Sequence, residues 1–164
     1  IDMLNKGVRV AIATDGSGSA DNQNMINAGR VASQYQKARH ADATLLPSID
    51  VLRMLTDIPA RILGFNKGKI AAGMDADFIA FDLDRPNLVA STATNVLDNL
   101  VWAADGSEII HVVGNGRIMK YNHRVLDFDG VSIAEIKNSA RRLTVGFAEY
   151  LKHAPEIRGT GMHR

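Results

Sequence analysis

Three stretches of the sequence predict an α/β fold. Residues 8–13, VRVAIA, alternate Val8, Val10 and Ile12 with Arg9 and two alanines, and the run stops at Asp15-Gly16. An apolar run of that length, closed by a turn signal and followed by a helical pattern, reads as a buried strand feeding a loop and then a helix. Ile109 to Val113, Asn115-Gly116 and Arg117 to Tyr121 read as a β-hairpin, because Asn-Gly supplies the two positive φ values of a type I′ turn. Near the end, Ile133, Ile136, Ala140, Leu143, Phe147 and Leu151 fall on one stripe of a helix running to about Lys152.

The elements follow in order. Ile1 to Lys6 resembles the end of a helix, with Gly7 as its stop, so the chain is expected to begin inside a larger protein. After the first strand and a Gly/Ser loop, Met25, Ala28, Ala32 and Tyr35 recur at helical spacing, with Asn22 or Asn24 as N-cap and an end near Arg39. A further helix starts at Pro47-Ser48, with Ser48 as cap and Val51, Leu52 and Leu55 facing inward. Pro59 breaks or kinks it, and a second piece stops at Gly64. Ala76 to Asp82 is a strand, entered through Gly73 and left at Asp84-Arg85-Pro86. Residues 94–104 fit a short helix. Asn122-His123 offers a second turn into Val125-Leu126. Ser132 and Glu135 then form a capping box, with Val131 placed to staple onto Ile136, and the tail after Pro155 is expected to be loose.

Composition narrows the function classes. With 164 residues, 46% of them hydrophobic, the chain can bury a core and suits one domain or parts of two. Nineteen basic against eighteen acidic residues give a net charge of +1, which argues against nucleic-acid and membrane partners. Neither a membrane span of about 20 apolar residues nor a signal peptide is expected. The absence of cysteine excludes disulfides and is compatible with a cytoplasmic home.

Asp15 is the chemically pointed residue. It stands at the carboxyl end of a core strand, where open sheets and barrels place their chemistry, and a carboxylate there needs a partner or a metal. Thr-Asp-Gly is also an ordinary turn. Gly16-Ser17-Gly18-Ser19-Ala20-Asp21 imitates the first two glycines of a dinucleotide loop, but the third glycine and the matching β-α-β unit are missing. Among His40, His111, His123, His153 and His163 no HxH or HxxxH spacing occurs, so none forms a metal site by itself. His111 alternates as a half-buried sheet residue, and His40 and His123 fall in turn-like stretches. Arg141-Arg142 is the solvated face of the last helix, whose stripe reads as core.

Four signatures occur together in order: GVRVAIATDGSGSADNQNM, SIDVLRMLTDIPARILGF, GKIAAGMDADFIAFDLDRPNLV and HVVGNGRIM. Over roughly residues 1–127 they resemble the carboxyl-terminal part of the amidohydrolase superfamily. The likeness is to the aminohydrolase branch, with its cytosine, guanine, 8-oxoguanine and S-adenosylhomocysteine deaminases and triazine hydrolases. Asp15-Gly16-Ser17, Ser19, Asp21 and Asn24-Met25 look closest to the loop of the 8-oxoguanine and hydroxyatrazine-type hydrolases, and Ala20 stands where many members carry Asn.

The resemblance implies a metal-dependent (β/α)8 TIM-like barrel, a small β-sandwich built from both chain ends, and a C-terminal helix. Residues 1–66 would be the last barrel strand and its helices, 67–130 the C-terminal strands of the sandwich, and 131–164 a closing helix and tail. Such a barrel needs about 250 residues, and the family's HxH pair, two further histidines and Glu proton shuttle belong to parts not present here. The chain is therefore expected to be a fragment, inactive by itself, whose partner is the N-terminal remainder. Asp15 would ligate one divalent metal, zinc first and iron second, orient the attacking water and take its proton. Ser17, Ser19 and Asn22 would line a pocket for a small heterocyclic amine, although loop capping explains them equally well. Deamination, or dechlorination, of an aminated purine, pyrimidine or triazine follows, in an expected homo-oligomer. The alternative is a non-catalytic, truncated or oligomer-forming module.

Overall fold

The computed structural model describes residues 1–127 and 129–153, apart from the side chains of Ala20 and His153. The expected loose tail after Pro155 and His163 lie outside the described residues. The fold is mixed helix and sheet, and the chain divides after Arg124 into two units.

The first unit opens with α1 (Asp2–Asn5), whose chain leaves through Gly7 at φ 75°. Residues 9–14 then keep the alternation of a strand, while Val8 is exposed. Val10, Ile12 and Thr14 turn inward while Arg9, Ala11 and Ala13 face solvent. Yet this segment is not a strand, which corrects the expectation: its residues enter no ladder, and the Ile12 N–H donates to Met54 O at 3.0 Å instead. The physical reason is that alternation makes a segment fit for a sheet, whereas a strand exists only beside a second one.

A short α2 (Ser17–Ala20) follows, which loop composition did not foretell, and then α3 (Met25–His40). The Asn24 side chain caps α3 by accepting from Asn27 N at 3.1 Å, as the pattern predicts. α4 (Ser48–Leu55) buries Val51 and Met54. Ser48 is not its cap; Pro47 holds that position. The Ser48 hydroxyl instead donates to Asp98 at 2.5 Å and accepts from Trp102 Nε1 at 3.1 Å, so it ties α4 to α6 (Val96–Trp102). The break after α4 falls at Thr56, and Pro59 sits inside the first turn of α5 (Asp57–Leu63), where a missing N–H costs nothing. Gly64 ends α5 at φ 73°.

α3, α4 and α6 pack together around Leu46, Val51, Met54 and Val101, with Val10 and Ile12 against them. Burying side chains of this size contributes about 1.5–3 kcal/mol each. Gly29 lets α3 and α4 approach closely, since a Cβ there would meet Val51 Cγ1 at 2.7 Å. Arg30 from α3 donates to Val101 O at 2.7 Å and to Ala104 O, satisfying carbonyls at the C-terminal end of α6.

The sheet is antiparallel, with order β1-β2-β3-β4 for β1 (Phe78–Phe81), β2 (Ile109–Gly114), β3 (Arg117–Tyr121) and β4 (Arg124–Val125). Phe78 faces Val113 and Ala80 faces His111 across β1–β2, with an irregularity before Phe81. The β2–β3 turn carries φ 51° at Asn115 and φ 73° at Gly116, and the Asn122-His123 turn is also left-handed at both residues, as the dipeptides predict.

The second unit holds α7 (Ile133–His153). Its capping box forms in full: Ser132 Oγ accepts from Glu135 N at 3.1 Å, and Glu135 Oε2 accepts from Ser132 N at 3.0 Å. The expectation that its stripe is core does not hold, because Leu143 is 75% and Phe147 61% exposed. Periodicity shows which side of a helix is apolar, and burial also needs something to cover that side. Val131 and Ile136, expected to staple, are both exposed. No helix among the described residues is long and apolar enough to cross a membrane.

Candidate active site

Asp15 follows the alternating segment directly and adopts φ 61°, a left-handed conformation that Asp tolerates better than most residues. Its carboxylate is at the surface, and Oδ1 accepts from Gly16 N at 2.7 Å. The backbone around it is held by a residue that sequence reasoning missed, Gln23. The Gln23 amide donates from Nε2 to Asp15 O and to Ser17 Oγ, both at 3.1 Å. Its Oε1 accepts from Thr14 Oγ1 at 2.9 Å. One side chain thus grips the residue before the aspartate, the aspartate and the second residue after it.

The far side of the loop is anchored by Asn22 and Asn24. Asn22 Oδ1 accepts from Asn24 N at 2.9 Å, an Asx turn leading into the cap of α3. Asn24 also donates from Nδ2 to Asp105 O at 2.7 Å, which joins the Asp15 loop to the approach of β2. That approach is organised by Glu108, a carboxylate buried completely. It accepts from Asp105 N at 3.1 Å, Gly106 N at 2.8 Å and the Asn87 amide. Burial alone would push the Glu108 carboxyl up, but the Asn87 amide and these N–H groups outweigh it and hold it below its usual range. Asp105 is lowered as well, first by the Ser107 backbone N–H. The available signal for Glu108 was a charged residue abutting the apolar run IIHVV, and nothing local distinguishes it from a solvated strand end.

The predicted pocket residues separate. Asn22 lines a cavity of about 340 Å³ with Ile12, Thr14, Asn27, Ala28 and Val31. The Ser17 hydroxyl is engaged by Gln23, and the Ser19 N–H closes a turn to Gly16 O at 2.9 Å. A larger apolar groove of about 560 Å³, lined by Leu55, Pro59, Phe65, Ile70, Phe78 and Val113, contains none of the candidate residues. At its rim Lys67 and Asp77 pair at 2.8 Å, which lowers the Asp77 carboxyl and raises the Lys67 ammonium.

As a metal ligand, Asp15 is sterically available but solitary. Among the described residues no group of three or more His, Asp, Glu or Cys could hold an ion. His111 is a half-buried strand residue, as expected: Nδ1 accepts from Asn122 N at 3.2 Å and the ring lies 4.8 Å from that of Tyr121. The His123 ring meets Arg85 at 3.0 Å. A catalytic zinc takes three protein ligands, so Asp15 has the chemistry of a single ligand and does not make a catalytic metal site with the other described residues.

Comparison with known proteins bears directly on that incompleteness. The Amidohydrolase family pattern matches residues 1–119. A 5-methylthioadenosine/S-adenosylhomocysteine deaminase of Syntrophus aciditrophicus (strain SB) is 36% identical over 152 residues, covering 92% of this chain and 33% of the relative. A zinc-bound adenosine deaminase from Xanthomonas campestris superposes with TM-score 0.74 at 29% identity, over 85% of this chain and 31% of that one. The zinc complex of an atrazine chlorohydrolase from Arthrobacter aurescens TC1 gives 0.71 at 26% identity, over 85% and 30%. The chain spans about a third of the length of the relatives it matches. With its core segment, its Asp15 loop and strands β1 and β2 inside the matched stretch, this chain belongs to the amidohydrolase family.

Proposed function

We propose that the chain is the C-terminal portion of a metal-dependent amidohydrolase that hydrolytically deaminates an aminated purine, with 5′-substituted adenosines the first substrates to try. The observation that carries the reading is the placement of Asp15. It is an exposed carboxylate, locked in a left-handed turn, directly after a strand-like segment that lacks its sheet neighbours. In this reading residues 1–66 are the last strand and helices of a (β/α)8 barrel, 67–130 the C-terminal strands of a composite sandwich, and 131–164 a closing helix and tail. The N-terminal remainder supplies the neighbouring strands, and the protein works in the cytoplasm.

Asp15 would hold a divalent ion, zinc or iron, with ligands from that remainder; when bound, such an ion lowers the pKa of water toward about 7. The work of this chain's residues follows from their geometry. The Asp15 carboxylate orients the attacking water and accepts its proton as the oxygen adds to the amino-bearing ring carbon. It returns that proton to the amine as the C–N bond breaks, and the second proton of the water ends on the adjacent ring nitrogen, so that ring amine and water become ring carbonyl with ring N–H, and ammonia. Asn22, which lines the cavity, would meet the ring or sugar. Ser17 and Ser19 remain candidates for the same role once neighbouring elements close over the loop.

The test is ammonia release by the full-length protein from S-adenosylhomocysteine, 5-methylthioadenosine and an aminotriazine, with and without chelator. Chelator-sensitive release from the purines is expected. Release from none of them would favour a second reading, a non-catalytic oligomer-forming module, for which the exposed stripe of α7 is the supporting observation.

A further inference from the structure

We propose that Gln23 is a positioning residue for Asp15, acting through a three-point clamp; this rests on the catalytic reading of Asp15. The carboxylate must hold one direction while its own backbone sits in a left-handed turn at the surface, where little packing restrains it. Gly16 N holds Asp15 Oδ1, and the Gln23 amide restrains the backbone on which the carboxylate stands. Two donors fix Asp15 O and Ser17 Oγ, and one acceptor fixes Thr14 Oγ1, so residues 14, 15 and 17 move together with Gln23. Because Gln23 directly precedes the α3 cap Asn24, itself tied to Asp105 O, the clamp transfers the rigidity of α3 and the β2 approach to the turn. The chemistry requires a primary amide, which donates and accepts at once. Asn is one methylene too short to make the same reach, Leu fills the space without either function, and Glu keeps the acceptor for Thr14 and loses both donors. A geometric error of about 1 Å at a catalytic group can cost on the order of 10²-fold in rate. Gln23 touches the backbone of the reacting residue and leaves its carboxylate free, so its loss should appear in turnover more than in binding.

The experiment uses the full-length protein and deamination of S-adenosylhomocysteine, comparing Gln23→Leu, Gln23→Glu, Thr14→Val and the Gln23→Leu/Thr14→Val pair, with Asp15→Asn alongside. The clamp predicts that kcat of Gln23→Leu falls about 10- to 100-fold with KM within about twofold. Thr14→Val should add little on top of Gln23→Leu, because both remove one shared bond. Gln23→Glu, nearly identical in shape, keeps the fold testable and should also lose turnover. Wild-type kcat in Gln23→Leu or Gln23→Glu beside an inactive Asp15→Asn overturns the clamp and leaves the catalytic reading standing. Independent, multiplicative losses in Gln23→Leu and Thr14→Val also overturn it. An active Asp15→Asn removes the catalytic reading and the clamp with it.

Discussion

Residues 8–13 and strand β2 are written in similar language and finish in different states. VRVAIA and IIHVV are both short, apolar and rich in β-branched residues, and both approach a turn centred on Asp or Asn followed by Gly. β2 finds β1 on one side and β3 on the other, and its backbone groups are consumed in ladders. Residues 8–13 hold the alternation and the inward Val10 and Ile12, but lean on α4 through a single Ile12–Met54 bond. β2 returns on itself through a two-residue turn, so its partner is encoded next door. The first segment leads into a helix, the connection that parallel sheets use, so any strand beside it would come from distant sequence. One strand has its partner encoded next door, and the other segment has none among the described residues. Asp15 stands at the end of a segment that enters no ladder among the described residues, and no group of three or more His, Asp, Glu or Cys forms around it there.

The largest effect should come from supplying strands beside residues 8–13. Hydrogen exchange of the isolated chain should leave the amides of residues 8–13 poorly protected beside those of Val112 and Val113. In the full-length protein the same amides should slow by at least about 10²-fold, as paired strands do. Equal protection in the two forms would break the comparison.

On the paired side, Glu108 sharpens it. Its carbonyl accepts from Asp82 N at 2.8 Å and its carboxylate holds the turn that delivers β2. Glu108→Gln exchanges an acceptor of several N–H groups for a half-donor, and denaturant unfolding should show a loss of about 1–3 kcal/mol. The pH dependence has a definite sign. The folded carboxyl lies below its ordinary 4.5, so its stabilisation is present above that value and is lost as pH falls through the folded value. The wild type should therefore lose more stability than Glu108→Gln on acidification below about pH 4.5; parallel curves would contradict the assignment.

A smaller change is expected at the hairpin. Gly116 at φ 73° accepts a β-branched residue poorly, and Gly116→Val should cost about 1–2 kcal/mol by thermal unfolding, with the amides of residues 8–13 unaffected. A shift that spread to those amides would show the two regions to be coupled.

What could be read in the sequence follows the same division. Ser132 with Glu135, Asn24 as cap, Asn115-Gly116 and Asn122-His123 were legible because each acts within three or four residues of itself. The stretch 94–104 is ambiguous in the sequence, fitting a short helix without a decisive local signal, and the structure forms one at Val96–Trp102. Ser48 reads as a cap because capping is a common local use of serine, whereas its partners Asp98 and Trp102 lie some fifty residues away. Gln23 and Glu108 were invisible for the same reason: their roles exist only after the loop and the β2 approach have closed. The α7 stripe was legible as a stripe, and what would cover it lies in no local pattern.

Central to the proposed function is Asp15 as a proton-handling ligand and not only a turn residue. Asp15→Asn separates the two, since the amide is nearly isosteric and suits the same turn while losing the charge and the proton acceptor. The measurement is ammonia release from S-adenosylhomocysteine by full-length wild type and Asp15→Asn, with circular dichroism to confirm equal folding. The account predicts a fall in kcat of at least about 10²–10⁴-fold with an unchanged spectrum; rates within a few-fold of each other would contradict it.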